Sequence, residues 1–355
     1  MQIILLWVVL ILFVTLGIWV ITVVPRVKKR KASYVKFMTD PLPVWTPPNQ
    51  PSEKKVVFPA LDDVDWETLS TEVDREGIFV VDYDALGRRG VAGKKRNPAD
   101  IAAFGIKRAK KYLETSDPHD LLLATRQFRY LEDNARVVEY GDATGVAWCA
   151  DFDMGYQYQL KAPWKSAYFQ TYAMCALLWA HWLSGDERYI GLFRRGLVSL
   201  GRTIDEGGLA YKTSEGGLFF EEVVADPPHH ILNGHLYSLL NLFRSHELTG
   251  SEEAKRIFEL GVQGTVDMLP KFDKYGYSLY SLSPRAGLRN HFNIANPFYH
   301  HSHVVLLRTL HELSGRRVFR QYAEKWEKRC DGFFDTAWTT IFVMFKDVMK
   351  FVKRV

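Results

Sequence analysis

A short break of the form Leu-Ser/Thr-Gly recurs three times, at Leu183-Ser184-Gly185, Leu248-Thr249-Gly250 and Leu313-Ser314-Gly315. Both separations are 65 residues (248 − 183 and 313 − 248). A fixed period marks a repeated supersecondary unit and constrains the fold more than any other feature of the chain. Each break follows an aromatic, leucine-rich stretch of helical spacing and precedes a more charged one, such as "DERYIGLFRRGLVSL" or "RRVFRQYAEKWEKRC". Glycine suits the left-handed turn that ends a helix, and Asp186 or Ser251 can cap the next one. The repeated unit is therefore a helical hairpin followed by a long connection. Apolar helices ringed by amphipathic ones predict a mainly α protein, an α/α toroid or incomplete barrel of helical hairpins. A simple solenoid of the same hairpins is the alternative.

The segments outside the repeat read differently. Residues 1–24 contain no charged residue, and as a helix they would span roughly 36 Å, enough to cross a bilayer. They lack the basic start of a secretory signal, so an uncleaved transmembrane anchor is expected. The basic run Arg26, Lys28, Lys29, Arg30 and Lys31 follows it and predicts that the main domain lies on the cytoplasmic side. That run nearly equals the whole formal net charge of +5, so nucleic-acid binding is not expected. Residues 25–60 are basic and then proline-rich, an extended linker. A β-hairpin and helical region is expected over 61–155, the hairpin repeat over 156–335 and an amphipathic helix over 336–355. Gly87, Gly90 and Gly93 lie in a strand-and-turn stretch and lack the lysine-serine of a phosphate loop. Cys149, Cys175 and Cys330 are odd in number and far apart, so no disulfide framework is implied.

Connections such as "GGLAYKTSEGGLFFEEVVADPP" (207–228) and "YGYSLYSLSPRAGLRN" (275–290) combine glycines with alternating aromatics and lead to the start of an apolar helix. In a toroid those starts cluster at one end. Function is then expected in "PWKSAYFQ" (163–170), "PHHILNGHLYSLL" (228–240) and "NPFYHHSH" (296–303). On a helix Tyr299 and His303 share one face with Leu306 and Leu310, whereas His300 belongs to the neighbouring face. Three readings fit: a metal pair at His300 and His303, a satisfied core histidine, or an active-site face bearing a phenol and an imidazole. Nothing nearby completes a zinc cage, so no metal is expected. Glu221 and Glu222 alternate on an extended segment, which sends one inward and leaves the other outward. Asp151 and Asp153 read as solvated loop acids.

"HHILNGHLYSLLNL", "YSLYSL" and "FYHHSHVVLLRTLHELSG" resemble the C-terminal domain of the D-glucuronyl carbon-5 epimerases, the heparosan-glucuronate 5-epimerases. "PWKSAYFQTYAMCALLWAH" and "FFEE" are similar to two further segments of that family, and the likeness runs from about 160 to 330. It implies an α/α barrel with a small β-rich N-terminal part. It also implies catalytic roles for Glu222, Tyr280 and Tyr299. Three positions depart from the family pattern: Val223 and Ser281 stand where the family has tyrosine and aspartate, and Asn296 where it has arginine.

The function so implied is inversion at carbon 5 of D-glucuronic acid residues, giving L-iduronic acid within a glycosaminoglycan-like or exopolysaccharide chain. Tyr299 is one proton-transfer group, with Tyr280 or Glu222 as its opposite. His303, His300, Asn233, Gln170, Arg285, Arg289 and Lys165 are candidates for holding carboxylate and hydroxyl groups. Proton transfer requires no cofactor. The expected partners are an acidic polysaccharide and the membrane, and a homodimer is compatible with this picture. A uronate lyase, or a non-catalytic glycan-binding or assembly protein on the same scaffold, is the alternative. A two-carboxylate glycosidase ranks below these, because no pair of acids has a defined separation.

Overall fold

The computed structural model describes residues 55–62, 64–86, 91–155, 158–283 and 293–330. The expected membrane helix, most of the linker, the C-terminal helix, Gly87, Gly90, Arg285 and Arg289 lie outside the described residues. Among the described residues no helix is long and apolar enough to cross a membrane.

The protein is mainly helical, as the repeat predicts. Eight long helices are described: α1 (Pro98–Thr115), α2 (Pro118–Asp133), α3 (Ala167–Ser184), α4 (Glu187–Leu200), α5 (Leu232–Thr249), α6 (Glu252–Met268), α7 (Pro297–Ser314) and α8 (Arg317–Glu327). Their starts follow from local chemistry. Asn97, Asp117, Ser166, Asp186, Ser251 and Asn296 each accept a backbone N–H of the first turn. Proline opens α1, α2 and α7, where no N–H is needed.

The 65-residue period is a repeated turn. Gly185, Gly250 and Gly315 take φ of +73°, +63° and +68°, and their N–H groups donate to the carbonyls of His181, His246 and His311. Those three histidines are themselves 65 residues apart. Each Nδ1–H donates onward to a carbonyl past the turn: His181 to Asp186 at 3.1 Å, His246 to Ser251 at 3.0 Å and His311 to Arg316 at 3.1 Å. Ser184, Thr249 and Ser314 repeat too, each bonding back to the carbonyl four residues earlier and accepting an N–H two residues on.

The helices belong to two compact units. The larger takes in the described residues up to Phe272 together with 281–283 and 293; the smaller takes in 273–280 and 294–330. In the larger unit α3 packs against α1, α2, α4 and α5, and α5 against α6. Helix α3 is apolar nearly all round, with Phe169, Tyr172, Met174, Cys175, Leu177 and Trp179 buried, which is why it reads as a core helix. Because α1 and α2 pack on α3, the boundary expected near residue 155 does not separate compact bodies. The last residues of the expected linker are docked as well. Val56 N–H donates to Leu183 O at 2.8 Å, and Phe58 packs against Phe128 and Tyr189.

Short antiparallel ribbons join the helices: β1 (Val81–Asp82) with β2 (Lys94–Lys95), β3 (Arg136–Glu139) with β4 (Thr144–Ala147), β5 (Cys149–Ala150) with β6 (Trp164–Lys165), β7 (Ala210–Lys212) with β8 (Leu218–Phe220), and β9 (Asp273–Lys274) with β10 (Tyr277–Ser278). β8 lies directly on α6. A Cβ at Gly264 would stand 2.1 Å from Leu218 O, so only glycine permits the approach. In the smaller unit α7 packs on α8.

Candidate active site

In the larger unit the chain leaving β8 presents Glu221 and Glu222 to the start of α5. Their burial alternates as expected. Glu221 is fully buried; its carboxylate accepts the His230 N–H at 2.9 Å and the imidazole Nδ1–H of the same residue. The carboxylate therefore fixes the proton on Nδ1. His230 adopts φ +49°, and its ring is held edge-on against Tyr211 and Phe219. Left-handed backbone at a non-glycine residue is costly and persists only where surroundings enforce it.

Glu222 is half-buried on the other side of the segment. Its Oε2 accepts from Asn233 Nδ2 at 3.4 Å, over the first turn of α5. A Cβ at Gly234 would lie 2.4 Å from that oxygen, so the missing side chain makes room for the carboxylate. The free N–H groups and dipole of a helix start favour negative charge there. Tyr168, in the first turn of α3, has a phenol pushed well above its ordinary pKa. Burial is the main cause, and Tyr172 and the charge on Glu222 add to it. Sequence reading marked its segment but not Tyr168 itself, and it also missed the Glu221–His230 pair, because neither carries a spacing signature.

Two residues expected as sugar contacts in this unit have different standing. Gln170 is buried, and its amide is committed to the framework. Nε2 donates to Val146 O at 2.8 Å and Gly196 O at 3.0 Å, while Oε1 accepts Trp148 N–H at 3.4 Å. A brace between α3, α4 and β4 leaves no group for a ligand. Lys165 is half-buried, and its ammonium donates to Gly207 O. His235 is a satisfied core histidine. It accepts Phe220 N–H at 2.9 Å, donates to Thr265 Oγ1 at 2.8 Å, and burial pushes its pKa down to about 3. Val223 is buried in the wall.

In the smaller unit Tyr280 and Tyr299 come together, ring centroids 4.7 Å apart and planes inclined by 58°. Asn296 caps α7, accepting Tyr299 N–H at 3.1 Å, so its amide serves the helix that carries the phenol. His300 and His303 were expected to touch sugar, but both are buried among framework groups. His300 accepts Ser278 N–H at 3.1 Å and donates from Nε2 to Trp326 O at 3.1 Å. His303 Nδ1 pairs with Ser278 Oγ at 2.8 Å. Burial pushes their pKa values down to about 4 and about 3, so both rings are neutral at pH 7. Both pin the β9–β10 ribbon to α7. His300 fits the satisfied core-histidine reading, whereas the buried Nε2 of His303 has no hydrogen-bond partner among the described residues. Among the described residues no group of three or more histidines, cysteines or acids is placed to hold a metal ion.

Fold and site together define a helical-hairpin protein whose candidate groups are phenols, carboxylates and neutral imidazoles, the equipment of proton transfer. The chain belongs to the D-glucuronyl C5-epimerase C-terminus family, whose model matches residues 142–328. It is 26% identical over 175 residues to the D-glucuronyl C5-epimerase of Caenorhabditis elegans, a match over 46% of this chain and 28% of the worm protein. It is 24% identical over 227 residues to an uncharacterized protein of Methanocaldococcus jannaschii, covering 62% of this chain and 69% of that one. Among solved structures it is similar to a sugar epimerase from a ruminal bacterium (16% identity, TM-score 0.45, 68% of this chain and 61% of that one). It is also similar to a D-mannose isomerase (14% identity, TM-score 0.46, 78% and 71%).

Proposed function

We propose that the protein inverts carbon 5 of D-glucuronic acid residues to L-iduronic acid within an acidic polysaccharide. The observation that carries this reading is the family match over 142–328, which takes in Glu222, Tyr280 and Tyr299. The hydrogen at carbon 5 is acidified by the neighbouring carboxyl group. A base on one face takes it as a proton, and the electron pair passes into the carboxylate. Donors and cations must then meet the charge developing on its oxygens. An acid on the opposite face returns a proton to carbon 5, and the two groups are reset by exchange with solvent.

Tyr299 is one transfer group in this proposal, with Tyr280 or Glu222 as its opposite. Tyr280 and Tyr299 are neighbouring rings, their centroids 4.7 Å apart, which supports a shared role. Glu222, placed over the first turn of α5 beside Asn233, is the carboxylate candidate for the base. Asn233, Lys165 and Arg285 are proposed to hold substrate hydroxyl and carboxyl groups. The hairpins are proposed to complete an α/α toroid, anchored to the membrane by residues 1–24 with the domain on the cytoplasmic side. The chemistry calls for no cofactor.

The test is deuterium incorporation from heavy water into a panel of uronate polymers. Tyr299→Phe should abolish incorporation while the melting temperature stays within a few degrees. Unchanged incorporation removes Tyr299 from the mechanism. An ultraviolet-absorbing unsaturated uronate product would instead identify a lyase.

A further inference from the structure

Helix α5, whose first turn meets Glu222, starts without a side-chain cap. The residue before it is Ile231, which has no group to accept a first-turn N–H, whereas Ser166 and Ser251 cap α3 and α6. The next residue back, His230, is tied instead to Glu221. We infer that Glu221 and His230 form a clamp that positions Glu222 for proton transfer. Both are positioning residues and act through Glu222. The task of Glu222 rests on the function proposed above; the clamp rests on the following geometry.

β8 ends at Phe220, and the chain bends at Glu222 and Val223, so no ladder holds Glu222 in place. Its neighbour Glu221 is fixed on every side. The Glu221 N–H donates to Leu209 O at 3.0 Å, and the Glu221 carbonyl accepts Ala167 N–H at 2.8 Å from the start of α3. The buried carboxylate reaches the other way. Among the described residues both hydrogen bonds that it accepts come from His230, one from the backbone N–H and one from the ring. Hydrogen bonds to a carboxylate are about twice as strong as neutral ones.

His230 is fixed in turn. Its ring stands edge-on to Tyr211 and Phe219, and its carbonyl accepts Leu282 N–H at 3.3 Å. Its φ of +49° is a strained value for a residue other than glycine, and the Glu221 bonds are among the contacts that enforce it. Glu222 then meets Asn233 and Gly234, three and four residues past His230. Two consecutive acids thus engage one short stretch of chain, the first as an anchor and the second as the group presented. The fit at Gly234 leaves no space for even a Cβ, so a small shift between the two segments displaces the Glu222 carboxylate.

The experiment uses His230→Asn and Glu221→Gln/His230→Asn in the full chain. Asparagine tolerates left-handed backbone, and the double variant leaves no buried charge unpaired, so it keeps the fold if the single variant does not. Deuterium incorporation at saturating uronate polymer should fall on the order of 100-fold, as expected for a reacting group misplaced by about 1 Å. KM should change by less than about twofold, because substrate contacts are intact. In a Glu222→Gln background the same substitutions should cause no further loss, since they act on one group; a purely structural role would lower the residual rate there too. A crystal structure of the double variant should show the Glu222 carboxylate drawn away from Asn233. Wild-type incorporation, further loss in the Glu222→Gln background, or an unmoved Glu222 carboxylate overturns the clamp. A displaced carboxylate in a protein whose wild type incorporates no deuterium sinks the epimerase reading and leaves the clamp standing.

Discussion

Gly234→Ala isolates the placement of Glu222 from its chemistry. The added Cβ would meet Glu222 Oε2 at 2.4 Å, Cβ at 2.6 Å and Cγ at 2.8 Å, where ordinary contact begins near 3.4 Å. The carboxylate must therefore retreat by about 1 Å from the first turn of α5. A displacement of that size at a reacting group costs on the order of 100-fold in rate. Stability should move much less. Alanine gains about 1 kcal/mol of helix propensity over glycine, against an overpacking cost of roughly 1–3 kcal/mol. The melting temperature should thus fall by only a few degrees. Deuterium incorporation measured beside thermal unfolding separates the two effects. Adding Gly234→Ala to Glu222→Gln should then cost little more than Glu222→Gln alone, because both act on one group. A folded Gly234→Ala protein with wild-type incorporation would refute the placement of Glu222 as a transfer group.

Two further outcomes concern the framework. His235, His300 and His303 are neutral in the fold, with pKa values pushed down to about 3, about 4 and about 3 from an ordinary 6.5. Below pH 6.5 the unfolded chain takes up protons that the folded chain refuses, so stability present above that pH is lost as pH falls toward 4. Each ring contributes up to about 1.4 kcal/mol per pH unit. Urea unfolding at pH 7 and pH 5 should show the drop, and equal midpoints would contradict it. Gly264→Ala drives a Cβ to 2.1 Å from Leu218 O and 2.5 Å from Leu218 C, backbone that cannot swing away. It should cost about 3 kcal/mol or more, and an unfolding midpoint within error of wild type would contradict the packing of β8 on α6.

The repeat was legible because glycine at a left-handed helix end is a local demand, visible without knowing any neighbour. The hairpins α3–α4, α5–α6 and α7–α8 follow from it directly. Spacing put Tyr299 on an inward helix face and alternation marked Glu221 and Glu222, but the catalytic roles of Glu222, Tyr280 and Tyr299 came from resemblance, since nothing local distinguishes a transferring phenol from a packing one. Gln170, His300 and His303 show the limit of residue type as a guide. Their polar groups look available in sequence, yet each is committed to backbone or hydroxyl partners that lie 22 to 26 residues away. Lys165 lies in one of the stretches expected to be functional, but the carbonyl that its ammonium meets, Gly207 O, is 42 residues further on and could not be read from sequence.

The thrice-repeated turn bears on how the chain reaches its fold. Each hairpin closes through bonds between residues at most five apart: the glycine N–H, the histidine Nδ1–H and the hydroxyl of the serine or threonine between them. Such closure needs no distant partner and little loop entropy. Neighbouring helices can therefore pair early and independently, and the slower events are left to the long connections, whose ribbons must find α6 or α7 after the hairpins exist. The helix pairs are thus units that the chain can form before any of its long connections has found a partner.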